Sequence, residues 1–171
     1  RRRTLGDEHP DTLSSIYSLA DLLENMGEVS RAIPLYEEDL AAERRTLGDD
    51  HPDTLTSINN LASLREAKDD YAGAETLYEE ALAGRRHTLG DEHPDTLSSI
   101  YSLADLLVNM GEVSRAIPLF EEELEGMRKR YGDDHEETQN SLNNLTELRE
   151  QQAGEGAQPD GASREPSEGV P

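Results

Sequence analysis

The sequence predicts an all-α fold, a stack of helical hairpins with about seven helices, and three observations carry the prediction. The segment Leu-Gly-Asp-Glu-His-Pro-Asp-Thr at residues 5–12 recurs in full or in degenerate form at 47–54, 89–96 and 131–138, with Gly6, Gly48, Gly90 and Gly132 spaced 42 residues apart. Within each unit the apolar residues fall at helical spacing. The chain is only 33% apolar, low for a globule but workable where the core is a thin seam.

Helix A of the first unit starts at His-Pro-Asp-Thr. Pro10 suits a first helical position, where its missing N–H costs nothing, and Asp11 suits the positive first turn. Ile16, Leu19, Ala20 and Leu23 then run i, i+3, i+4, i+7 and mark one buried face. Ile58, Leu61 and Ala62 repeat the stripe, as do Ile100, Leu103, Ala104 and Leu107. Met26-Gly27 ends the helix. Helix B follows with Val29, Ala32, Tyr36 and Leu40 as its stripe, and it closes toward Arg44-Arg45 at its negative end. Pro34 and Pro118 lie inside helix B and should bend its first turns, whereas Thr76 takes that place in the second unit. Neither helix holds its shape alone at this length, so each must pair with its neighbour.

The first and third units are nearly identical. Between 4–40 and 88–124 only Glu24/Val108, Tyr36/Phe120 and Asp39/Glu123 differ, which points to duplication of a two-unit block. The second and fourth units depart from them: Arg65 and Arg149 replace Leu23 and Leu107, and Asp69 replaces the turn glycine of Gly27 and Gly111. Those units are expected to be looser, with the Arg65 charge snorkelling past apolar neighbours. The fourth helix A, from Glu137 to about Gln152, has no helix B after it and should cap the stack. The array is therefore expected over 1–152. Residues 153–171, rich in Gly, Pro, Ser and Glu, form an expected disordered acidic tail. Because Arg1 to Gly6 matches the end of a helix B, the chain is expected to begin midway through a repeat.

The pieces Leu47-Gly48-Asp49-Asp50-His51-Pro52-Asp53, Ile58-Asn59-Asn60-Leu61-Ala62 and Ala74-Glu75-Thr76-Leu77-Tyr78-Glu79-Glu80-Ala81-Leu82 resemble the 42-residue tetratricopeptide repeats of kinesin light chains and of related multidomain signalling proteins. The resemblance covers Thr4 to about Arg149. It implies a right-handed superhelical solenoid of tetratricopeptide hairpins with a concave groove lined by the A helices. The heptad coiled coil that joins light chains to the motor is absent, so cargo transport does not follow.

A net charge of −22, 4% aromatic residues and no Trp speak against nucleic acid and anionic membranes as partners. They favour a basic protein or peptide. The lack of Cys fits a reducing compartment and a cytoplasmic location, and no apolar run nears the roughly 18 residues that span a bilayer. His9, His51, His93 and His135 stand one unit apart, too far to share an ion, and read as helix-start residues. No nucleophile, phosphate loop or His-plus-acid constellation stands out. The chain is expected to be no enzyme, to need no cofactor or metal and to take no small-molecule substrate.

Candidate binding residues are the helix A positions turned away from the buried stripe: Tyr17, Asp21 and Glu24; Asn59, Ser63 and Glu66; Tyr101 and Asp105; Asn143 and Glu147. The resemblance implies Asn59, Asn60, Asn143 and Asn144 as amides able to grip a peptide backbone, with Asn60 and Asn144 a lesser expectation than the outward positions. The expected function is a protein–protein interaction scaffold that holds a peptide or partner helix in the groove. Two alternatives stand beside it. One is a regulatory repeat segment of a larger signalling protein whose catalytic or nucleotide-binding domain lies outside this fragment; the other is a structural spacer without a groove ligand.

Overall fold

A computed structural model describes residues 9–156, and all its regular structure among them is helical. The helices are α1 (Pro10–Asn25), α2 (Val29–Thr46), α3 (Pro52–Glu66), α4 (Tyr71–Leu89), α5 (Pro94–Asn109), α6 (Val113–Tyr131) and α7 (Glu136–Gly156). Each packs on the next, so α1–α2, α3–α4 and α5–α6 are hairpins, and α7, the last described helix, packs on α6. The helix A expected to end near Gln152 continues to Gly156, so 153–156 belong to it rather than to a tail. Residues 157–171, and the first part of the array at 1–8, lie outside the described residues. No described helix is long and apolar enough to cross a membrane.

The recurring His-Pro starts the first three A helices by a physical rule. A residue before proline is pushed into extended backbone, and His9, His51 and His93 have φ near −70° and ψ near 140° (−69° and 136° at His9). In that conformation each imidazole Nδ1 accepts the backbone N–H two residues on, at 3.2 Å from Asp11, Asp53 and Asp95. His135 does the same for Glu137 at 3.3 Å. The histidines are helix caps.

The first three A helices end in a left-handed residue that lets a later N–H reach back to the last turn. Gly27 (φ 76°) and Gly111 (φ 78°) fill this place, and Asp69 takes it with φ 61°. The closing bonds run from Glu28 N to Leu23 O, Asp70 N to Arg65 O and Glu112 N to Leu107 O, at 2.8, 3.0 and 2.8 Å. Both α2 and α6 continue unbroken through Pro34 and Pro118.

The core is a seam of small residues flanked by larger ones. Ala20, Ala62 and Ala104 on the A helices and Ala32, Ala74 and Ala116 on the B helices are fully buried, which brings the hairpin helices close together. Between hairpins, Ile33, Tyr36 and Leu40 of α2 pack with Leu55, Ile58 and Leu61 of α3. The α4–α5 junction repeats this. Gly84 and Gly126 mark a closer approach still, because an added Cβ would lie 2.3 Å from a methyl of Leu55 or Leu97.

The first helix departs from the expected stripe. Ile16, Ala20 and Leu23 are buried, but Leu19 is 47% and Leu22 55% exposed, whereas Leu64 and Leu106 are 7% and 0%. The difference is positional: α2 covers α3 and α4 covers α5, and among the described residues no helix precedes α1.

Arg65 also departs from expectation. Rather than reaching for solvent alone, it pairs with Glu37 at 2.5 Å and with Asp70 at 3.2 Å. Asp70 at the same time caps α4 by accepting Gly73 N. Arg149 pairs with Glu121 in the corresponding way two repeats later. The replaced leucines have thus been exchanged for ion pairs to the preceding B helix, although the Arg65 Nε is buried without a hydrogen-bond partner.

Candidate functional site

Successive A helices stand apart with a B helix between and beneath them, which leaves three gaps in series. In the first, Tyr17, Asp21 and Glu24 of α1 face Asn60, Ser63 and Leu64 of α3 around a cavity of about 280 Å³, with Tyr36 of α2 below. In the third, Tyr101, Asp105 and Val108 of α5 face Asn144, Glu147 and Leu148 of α7 around 240 Å³, with Phe120 below. A second cavity in that gap, of 380 Å³, lies toward the helix starts and has Glu123 and Met127 of α6 along its base.

The rings in these gaps are fixed by contact with the helix beneath. Tyr17 meets Tyr36 edge-on at 5.7 Å between centroids, and Tyr101 meets Phe120 likewise at 5.5 Å. Two carboxylates are engaged from below. The Tyr36 hydroxyl donates to Glu24 at 2.7 Å and the Tyr78 hydroxyl to Glu66 at 3.1 Å. Burial and these acceptors raise both phenol pKa values. In the third repeat the donor and the acceptor are lost together, as Phe120 and Val108. Two of the three differences between the near-identical units thus remove one hydrogen bond as a pair.

The expected binding residues divide accordingly. Tyr17, Asp21, Glu24 and Ser63 meet in the first gap; Tyr101, Asp105 and Glu147 meet in the third. Glu66 is tied across the second gap, where Asn109 of α5 donates to it at 2.9 Å, and its charge, after burial, raises the pKa of Asp105. Asn59 is half-buried with its Oδ1 lacking a partner, and Asn143 is exposed on α7. Neither lines these cavities. Their neighbours do, Asn60 in the first gap and Asn144 in both cavities of the third. The one-residue shift is a turn of 100° around the helix, enough to move an amide from the wall to the surface.

The bases of the gaps carry charged residues that the expected set omits. Asp39 and Glu43 on α2, Arg85 on α4 and Glu123 on α6 occupy the B-helix stripe that includes Tyr36, Tyr78 and Phe120, at i+3 and i+7 from those rings. Asp39, Arg85 and Glu123 are buried. Burial, then the neighbouring Glu43 and Glu38, pushes the Asp39 carboxyl up to about 6. Glu43 is also raised by burial, against an opposing Ser57 hydrogen bond. The signal was present in the sequence, because a charge in phase with a buried stripe is out of place on a solvated face.

A tetratricopeptide repeat family model matches residues 17–86 and 59–129. The chain belongs to the tetratricopeptide repeat family. Among solved structures, the nearly identical TPR-like repeats of a Podosopora anserina chain described as a kinesin light chain are 30% identical. That match covers 89% of this chain and 74% of the other, with a TM-score of 0.75. BtubC (BKLC) from P. vanneervenii is 19% identical over 95% of this chain and 72% of its own, with a TM-score of 0.69. The Sgt2 TPR domain from Aspergillus fumigatus is 17% identical over 95% and 93%, with a TM-score of 0.58. These last two share the fold. A search of curated protein sequences returns no match. Tetratricopeptide repeats of the kinesin light chain type, which this array resembles, generally serve protein–protein interaction and are typically non-enzymatic scaffolds.

Proposed function

We propose that this tetratricopeptide array is a scaffold that binds a basic peptide or partner segment along the gaps between its A helices. The observation that carries the reading is the pairing, twice over, of an exposed tyrosine ring with an aspartate on a cavity wall: Tyr17 with Asp21, and Tyr101 with Asp105. An anchored ring accepts a cation or an apolar side chain on its open face, while the carboxylates and the net charge of −22 steer basic partners toward it. Asn60 and Asn144 add amides that can hold an extended backbone.

Fluorescence anisotropy with basic and acidic peptide pools tests the reading. Basic pools should bind, more weakly at physiological than at low salt, and Asp21→Asn, Asp105→Asn and Tyr101→Ala should each reduce binding. A preference for acidic pools, or indifference to all three changes, would remove this surface from consideration.

A further inference from the structure

The second gap contains its own ligand. Arg85 of α4, 7% exposed, lays its guanidinium across the base. Nη1 donates to Ser99 Oγ at 2.7 Å and to the Asp95 carbonyl at 3.0 Å, and Nη2 donates to Thr56 Oγ1 at 3.4 Å. One repeat on, every acceptor has a counterpart: Ser141, the Glu137 carbonyl and Ser98. The arginine does not. Met127 stands at its position, and Ala81 is replaced by Glu123.

Glu123 is 1% exposed. Its Oε1 accepts the Ser141 hydroxyl at 2.9 Å, while Oε2 is buried without a hydrogen-bond partner. A buried carboxylate oxygen without a partner is costly, and a charged donor is its best complement. The 380 Å³ cavity is lined by Glu123, Ser141 and Ser98 together with Leu97, Tyr101 and Met127. Polar acceptors and apolar wall suit a group with an alkyl stem and a flat, many-donor head.

We propose that the third gap is a receptor for an arginine side chain supplied by a partner peptide, seated as Arg85 seats itself one repeat earlier. The stem lies along Met127 and Leu97. The guanidinium takes the Arg85 contacts and adds Glu123, which the second gap lacks. Lysine is disfavoured, since one ammonium cannot span acceptors that the planar fork of Arg85 reaches together. The proposal rests on the reading of the groove as a peptide site but is tested apart from it.

The probe is N-acetyl-arginine methylamide, with the citrulline and lysine analogues as controls, followed by backbone amide shifts of the ¹⁵N-labelled full chain. The arginine compound should give saturable shifts at Tyr101, Asn140, Ser141 and Asn144, and bind about tenfold more tightly than either control. Glu123→Gln should weaken it about tenfold. Met127→Arg should abolish it, because the new side chain occupies the site, while the chain melts no lower than its parent. Citrulline or lysine binding as well as arginine, absence of saturable shifts at these residues, or full binding by Met127→Arg would overturn the proposal. Basic pools that bind with no arginine preference would leave the groove reading standing and remove this one; arginine binding without peptide binding would do the reverse.

Discussion

At the scale of single residues, the array shows where a side chain works against its own position. Asp69 holds the left-handed turn that glycine holds in the neighbouring repeats, and a Cβ there costs about 1 kcal/mol, less for Asp than for most residues. Asp69→Gly should therefore raise stability by about 0.5–1 kcal/mol in urea unfolding. Asp39 works against burial. Its carboxyl is raised from 3.8 to about 6 in the folded chain, so folding favours the neutral form. The group's favourable contribution is complete below pH 4, is lost as pH rises from about 4 to 6, and stays lost above. Asp39→Asn, always neutral, should then stabilise the chain by about 3 kcal/mol at pH 7 and by well under about 1 kcal/mol at pH 4. Equal gains at both pH values would show that charge is not the cause.

At the scale of the helix and hairpin, the coupled exchange of Glu24/Tyr36 for Val108/Phe120 invites a double-mutant cycle in the first repeat. Tyr36→Phe and Glu24→Val should each cost about 0.5–1 kcal/mol, and the double variant should cost less than their sum by a similar amount. Additive costs would mean that the 2.7 Å hydrogen bond contributes nothing. Most of this scale was legible beforehand. The His-Pro-Asp-Thr starts, the turn at Gly27 and the alternation of A and B helices follow from local rules that need no neighbour. What was not legible depends on which neighbour arrives. Arg65 reads as a misplaced charge until Glu37 of the previous hairpin is beside it. Arg85 stands out as a charge in phase with a buried stripe, but its partners appear only when α5 brings Ser99 over it. Asn59 and Asn60 differ by one step on a helix wheel, and only the angle between two A helices decides which faces the gap.

At the scale of the whole molecule, the same residue means different things according to its place in the stack. Leu22 and Leu106 are period mates, yet one is 55% exposed and the other fully buried. Leu106→Ala should cost about 2–5 kcal/mol through the cavity it opens, whereas Leu22→Ala should cost no more than about 0.5 kcal/mol. Similar losses at both sites, measured by thermal melts, would mean that something covers α1. The longer-range order is electrostatic. Arg44 and Arg86 each bridge to the next B helix, at Glu80 and Glu122, and Arg44, Arg86 and Arg128 each reach the turn aspartate five residues on. Such pairs contribute little singly, and they recur at the same place in successive repeats.

The near-identity of α1 and α5 has a kinetic side. Over sixteen residues each they differ at one position, Glu24 against Val108, so the face of α4 that seats α5 is also complementary to the α1 of another molecule. Two chains opened at the α4–α5 junction can exchange these helices and close again around the wrong one, with nearly every buried contact restored. Refolding is then a contest between an intramolecular partner and an equally good intermolecular one. Its outcome depends on concentration: dilute refolding should return monomers, and concentrated refolding should leave a long-lived dimer that size-exclusion chromatography resolves. Breaking the likeness on α1 alone, where Leu22 faces solvent, with Leu22→Lys should suppress that dimer while leaving the monomer's melting temperature in place.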